Sequence, residues 1–190
     1  SFEGPEASGK SSQIKLLSSF LKKNNIPYLI TREPGGTINA EKLRKIILSS
    51  INKISPTEEL LLLMAARLNH VNQIIKPALK EGKIVISDRF ADSSFVYQGF
   101  VNKLGLNKTL KLHKELLGNF LPNKTFLFLL PTNEIMKRLR NRKVVNKYDK
   151  INIKFHEKVI EGYKKISKNN NRFYKINANA HKNCCNNKFN

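Results

Sequence analysis

The 190-residue chain contains no tryptophan, and its two cysteines stand side by side as Cys184-Cys185. With no further cysteine and no histidine at ligand spacing, neither a disulfide framework nor a zinc site is supported, and the thiols read as incidental. No apolar run reaches the roughly 20 residues that a membrane helix requires. The opening residues Ser1-Phe2-Glu3-Gly4 also lack a basic stretch followed by an apolar one. The expected protein is therefore soluble and cytoplasmic, with no membrane partner. Acidic residues are scarce: 14 Asp and Glu face 35 Lys and Arg, a net charge of +21. Such an excess attracts polyanions, so nucleic acid must be weighed as a partner. Aromatics interleaved with the charge, which would stack on bases, are not evident. Runs such as Lys22-Lys23-Asn24-Asn25 look like A/T-rich coding bias spread over solvated faces. Nucleic acid is not the expected partner.

What is present suits one globular domain over 1–190, with 40% hydrophobic residues. Short apolar runs alternate with helical-period segments, the pattern of an α/β domain with a parallel sheet flanked by helices. Strands are expected at 26–30, 83–88, 125–130 and 173–176. Ile14, Leu17 and Leu21 follow helical spacing, as do Phe155, Val159, Tyr163 and Ile166. Ser55-Pro56-Thr57-Glu58 combines an N-cap, a proline at the first helical position and a capping-box glutamate, so a long helix should start there. Pro77 is expected to kink its end. Only Ser1, Phe2 and Glu3 precede the first motif, which reads as a strand cut short. The tail from 179 shows no apolar period and is expected to be disordered.

That first motif is Gly4-Pro5-Glu6-Ala7-Ser8-Gly9-Lys10-Ser11, followed by Ser12, and it matches G-x-x-x-x-G-K-[ST] at every fixed position. The glycines let backbone N–H groups curl around phosphate, and the helix beginning near Lys10 adds its positive end. The loop from Gly4 to Ser12 is thus a candidate ATP site. Lys10 should reach the β- and γ-phosphates, and Ser11 should ligate Mg²⁺. Asp88, at the end of an apolar strand, is a second candidate for holding Mg²⁺.

Such a loop does not by itself name an acceptor. Three further segments do: Thr31-Arg32-Glu33-Pro34-Gly35-Gly36-Thr37, Met64-Ala65-Ala66-Arg67, and Asp88-Arg89-Phe90-Ala91-Asp92-Ser93-Ser94-Phe95-Val96-Tyr97-Gln98-Gly99. With the phosphate loop, and in this order, they closely resemble bacterial thymidylate kinase, a P-loop NTPase-type fold with a mobile basic lid. The resemblance runs from Phe2 to about Ala178. It implies transfer of the ATP γ-phosphate to dTMP, and a homodimer. Arg32, Arg44 and Arg89 are candidates for the cationic clamp that brings two anions into line. By resemblance Arg44 and Arg89 approach the monophosphate, Arg67 donates to a thymine carbonyl, and Glu6 accepts the sugar 3′-hydroxyl. Tyr97 would lie beneath the deoxyribose, Ser94 near the base, and Gln98, which both donates and accepts, would suit the imide edge of thymine.

Between the helices expected from Asn133 and Ile151 lies a basic stretch containing Lys137, Arg138, Arg140, Arg142, Lys143, Lys147 and Lys150. It resembles the family's lid, about 138–150, with Arg140 and Arg142 as candidates for stabilising the transferring phosphoryl group. Three positions depart from the family pattern: Leu63 in place of a stacking aromatic, Lys147 in place of a lid arginine, and Leu129 in place of an aspartate. An inactive remnant of such a kinase, or a basic ATPase that binds nucleic acid, are the alternative readings.

Overall fold

Five short runs rich in β-branched and aromatic residues form a single parallel sheet: β1 (Phe2–Glu3), β2 (Tyr28–Arg32), β3 (Ile84–Asp88), β4 (Thr125–Leu129) and β5 (Phe173–Asn177). Their spatial order is β2-β3-β1-β4-β5. The computed structural model describes residues 1–49, 51, 54–141, 148 and 152–179. Among these, the connections are α1 (Lys10–Lys23), α2 (Ile38–Leu48), α3 (Pro56–His70), α4 (Lys76–Lys80), α5 (Ala91–Ser94), α6 (Leu106–Leu117), α7 (Thr132–Arg140) and α8 (Ile153–Ile166). No described helix is long and apolar enough to cross a membrane.

β1 has two residues, yet it lies at the centre of the sheet. Phe126 N donates to Ser1 O at 2.9 Å on one side, and Arg89 N donates to Phe2 O at 3.0 Å on the other. The Phe2 ring is buried and stacks on Phe128, centroids 5.6 Å apart. Successive residues of β4 face opposite layers, as strand geometry requires. Phe128 packs with Ile14 and Leu21 of α1 and with Ile135 and Leu139 of α7, whereas Leu127 packs with Val96, Tyr97, Val159 and Tyr163.

The second strand runs 28–32 rather than 26–30. Ile26 N closes the end of α1 by donating to Leu21 O, and Pro27 has no N–H to offer a ladder. This register carries the strand to Arg32, beside Asp88 of β3. The helix at Ser55 begins with both capping-box bonds in place. It is not one unbroken helix up to the expected kink: a π-helical turn at Val71–Ile75 separates α3 from α4, just before Pro77. A proline in a helix removes one N–H and crowds the carbonyl four residues earlier, and a widened turn relieves both. A second π-helical turn, Phe95–Val101, carries Tyr97 and Gln98. Residues 180–190, including Cys184 and Cys185, lie outside the described residues, as do Arg142, Lys143, Lys147 and Lys150 of the expected lid.

Candidate active site

The parallel sheet aligns the C-terminal ends of β1, β2 and β3, and the loops leaving them enclose a cavity of about 380 Å³. The phosphate loop forms one wall. Gly4 has φ 142 and Gly9 has φ 90, both in the region that glycine alone enters cheaply. A Cβ on Gly4 would also overlap the carbonyl oxygen of Phe128. Lys10 opens α1 and folds back over the loop, its Nζ donating to Pro5 O at 2.8 Å, Gly4 O at 3.2 Å and Ser8 Oγ at 3.2 Å. Burial and the Arg89 charge pull its ammonium down to about 8, against the opposing pull of Glu6 and Asp88. A polyphosphate arriving beside it would restore the missing negative charge.

At the mouth of the loop, Ser11 Oγ donates to Asp88 Oδ2 at 2.9 Å. A hydroxyl and a carboxylate oxygen so close together are hard oxygen donors suited to Mg²⁺. Asp88 thus faces the loop rather than pairing with Arg89.

Arg89 sits at the centre of the cavity wall. Its φ of 71 is unusual for a residue with a side chain, and such backbone strain persists where surrounding contacts enforce it. Those contacts are Nη1 to Gly4 O at 2.9 Å, to Ser93 Oγ at 3.1 Å and to Tyr163 Oη at 3.2 Å, and an ion pair from Nη2 to Glu6 Oε2 at 2.9 Å. Tyr97 completes the group: its ring lies 5.4 Å beneath the guanidinium, and its hydroxyl donates to Glu6 Oε1 at 3.1 Å. Burial pushes the Glu6 carboxyl up, but Arg89, Lys10 and the Tyr97 hydroxyl outweigh it and hold the group at about 2.

A consequence for acid stability follows from that displacement. A carboxyl at about 2 when folded, against 4.5 ordinarily, contributes stability that is complete above about pH 4.5 and is lost as pH falls through about 2. The difference in urea midpoint between the protein and Glu6→Gln should therefore shrink from about pH 6 to about pH 3. A difference that stays constant over this range would show that Glu6 is not displaced.

Arg32 and Arg44 line the opposite wall. Arg32 Nη2 donates to both carboxylate oxygens of Glu41 at 3.0 Å, and Arg44 Nη1 donates to Pro34 O at 2.7 Å. Deeper in, Arg67 is 2% exposed: Nε donates to Glu33 Oε2 at 2.7 Å and Nη2 to Ser94 Oγ at 2.8 Å, while Nη1 has the Met64 sulfur at 3.6 Å as its partner. Leu63, Ser94, Tyr97 and Gln98 also face the cavity. Lys10, Ser11, Arg32, Arg44, Arg67, Asp88 and Arg89 are therefore brought together around one space, with Glu6, Ala7, Ser8, Gly9 and Ser12. Gly4 and Pro5 stand behind the loop, their carbonyls taken by Lys10. Arg140 is exposed on the last turn of α7 and is not among the cavity residues. Arg142 falls outside the described residues.

Several buried groups escaped the sequence reading. Glu3, fully buried, accepts from Phe90 N at 2.6 Å, Ser93 Oγ at 2.7 Å and Tyr163 Oη at 2.8 Å, and burial, with Asp92 nearby, pushes its carboxyl up. Glu33 holds Arg67 and lies 3.3 Å from His70 Nδ1, while His70 Nε2 lies 2.6 Å from Thr31 Oγ1. Arg138, part-buried and expected above only as a member of the basic lid stretch, joins the phosphate loop to the end of β5, donating to Ala7 O at 3.3 Å and Ala178 O at 3.0 Å.

The thymidylate kinase family model matches residues 2–189. Thymidylate kinase from Clostridium novyi (strain NT) is 40% identical over 181 residues, covering 93% of this chain and 88% of its own length. That of Rickettsia africae (strain ESF-5) is 42% identical over 172 residues, covering 90% and 82%. Among solved structures, thymidylate kinase from Ehrlichia chaffeensis superposes with a TM-score of 0.74 at 31% identity, covering 94% of this chain and 89% of that one. A phosphate loop facing a ring of arginines, on a sheet shared with these enzymes and in a sequence matched almost end to end, places this chain in the thymidylate kinase family.

Proposed function

We propose that the chain transfers the γ-phosphate of ATP to dTMP, giving ADP and dTDP for dTTP synthesis, with the cavity residues acting as follows. The observation that carries this reading is the continuity of the cavity, which runs from Lys10 and Ser11 past Arg89 to Arg67 and Gln98. A donor phosphate and an acceptor nucleotide can thus meet within one continuous cleft. A phosphomonoester with a second pKa of about 6 is already mostly dianionic near pH 7, so no base is needed. An acceptor phosphate oxygen bonds to the γ-phosphorus as the bond from that phosphorus to the bridging oxygen of ADP breaks. What the protein supplies is alignment and positive charge.

In this reading the loop from Gly4 to Ser12 cradles the polyphosphate and Lys10 follows the charge as it shifts. Ser11 and Asp88 would hold Mg²⁺, which when bound neutralises phosphate charge. Arg32, Arg44 and Arg89 clamp the acceptor phosphate. Glu6 receives the sugar 3′-hydroxyl over the Tyr97 ring, and Arg67, Ser94 and Gln98 address the base. Arg140 and Arg142 remain candidates for the lid. The cytoplasm is the compartment where these nucleotides meet. A homodimer would cover apolar side chains such as Leu61 and Leu110, which α3 and α6 leave 54% and 42% exposed. A solution mass near twice 21.8 kDa checks it. The positive charge is assigned to solvated faces rather than to nucleic acid.

The test is ADP release with Mg·ATP and dTMP, dUMP, dCMP or no acceptor. Turnover greatest with dTMP is expected, and turnover indifferent to the acceptor would overturn the reading. Arg67→Lys keeps a charge opposite Glu33 but loses the planar fork. It should lower kcat/KM for dTMP by about tenfold and narrow the preference over dCMP, consistent with one charged hydrogen bond. An unchanged preference would remove Arg67 from base recognition.

A further inference from the structure

Glu59, Leu63 and Arg67 fall at i, i+4 and i+8 of α3 and so lie on one face of the helix. Leu63 and Arg67 line the cavity, and Glu59, 5% exposed, stands behind the lining and bonds to two residues of it. Gln98 Nε2 donates to Glu59 Oε1 at 2.6 Å, and the Tyr148 hydroxyl donates to the same oxygen at 2.7 Å. Tyr148 also lines the cavity and packs edge-on against Tyr97, centroids 5.3 Å apart.

We propose that Glu59 is a positioning residue that sets the base preference by locking the Gln98 amide in one of its two orientations. The inference rests on the reading above that Gln98 addresses the base. A primary amide offers a donor at one end and an acceptor at the other, and the two are nearly equal in shape. A carboxylate accepts and does not donate, so the amide must turn Nε2 toward Glu59. The oxygen is then the end left for the cavity, and Oε1 takes no hydrogen bond from a described residue.

The locked orientation matters because thymine and cytosine differ by inversion along the edge being read. Thymine presents an acceptor at O4 and a donor at N3–H. Cytosine presents a donor at its 4-amino group and an acceptor at N3. A guanidinium at Arg67 with a carbonyl at Gln98 matches the first pattern and opposes the second at both atoms. Were the amide free to turn, Nε2 could meet cytosine N3, and half of the mismatch would vanish. Glu59 forbids that turn without touching the nucleotide. This is discrimination by an obstacle to the wrong partner as much as by attraction to the right one.

The experiment compares kcat/KM for dTMP and dCMP in the protein, in Glu59→Gln and in Gln98→Leu. A glutamine at 59 can accept or donate, so it tolerates either orientation of its neighbour. The ratio of dTMP to dCMP should fall about tenfold in Glu59→Gln, mainly through a gain with dCMP, the size expected of one mispaired hydrogen bond. Glu59→Met, which fills the space without any acceptor, should lower the ratio likewise and serves if the glutamine variant does not fold. A ratio that collapses in Gln98→Leu but is unchanged in Glu59→Gln would overturn the lock while leaving Gln98 as a base reader. A ratio unchanged in both would overturn the base-reading role of Gln98 itself. Equal losses with both nucleotides in Glu59→Gln would reduce Glu59 to a structural residue and likewise overturn the lock.

Discussion

Lys10→Ala is expected to lower kcat by about 10²–10³-fold, as loss of one preorganised cation at a transferring phosphoryl group does elsewhere. The structure explains why no neighbour should replace it. Lys10 Nζ reaches the loop from within, at 2.8 Å from Pro5 O, whereas Arg89 already serves Gly4, Ser93, Tyr163 and Glu6 from the far side. The dTMP dissociation constant, measured by calorimetry without ATP, should change by less than about threefold, because the base contacts lie beyond Arg89 and Glu6, which takes the sugar hydroxyl, keeps its ion pair with Arg89. Single-turnover ADP formation at saturating dTMP separates the two effects. Turnover kept near that of the unmodified protein would remove the loop from catalysis.

Arg89→Ala should cost comparably in kcat/KM for dTMP, about 10²–10³-fold, and unlike Lys10→Ala should also destabilise the fold by about 3–5 kcal/mol. The second effect arises because the Glu6 carboxylate, 11% exposed, would be left against the Tyr97 ring without the charge that offsets its burial. The Glu6→Gln, Arg89→Ala double variant separates the two losses. Removing both charges should recover much of the stability and none of the turnover. Arg89→Lys should not restore rate either, since one ammonium cannot span the directions that the guanidinium occupies. Full activity in Arg89→Lys would show that charge alone suffices.

The parts of this site that the sequence discloses are those whose chemistry demands fixed spacing. Gly4, Gly9, Lys10 and Ser11 are set by the geometry of a backbone cradle, and Asp88 by its place at the end of an apolar run. The carboxylates behind them were hidden for a physical reason. Glu3, Glu33 and Glu59 look like any solvated acid until the chain folds, and only then do burial and their partners give them meaning. A trace existed for Glu59, which shares its helical face with Leu63 and Arg67. The strand at 28–32 was misplaced by two residues because Pro27 reads as part of an apolar run although it cannot donate to a ladder. Neither π-helical turn left a composition signal, although Pro77 marked the neighbourhood of one.

The central position of β1 also sets the order of events during synthesis. Phe2 and Glu3 leave the ribosome before either neighbouring strand exists, and their partners lie at Asp88 and at Phe126 and Leu127. At about 5–20 residues per second, several seconds separate the appearance of the phosphate loop from that of the strand that completes its support. Until β4 arrives, the half-sheet of β2 and β3 has no route to β4 and β5, because β1 alone joins them. The phosphate loop is thus made well before the strand that completes its support, which leaves the apolar Phe2 ring without Phe128 in the interval.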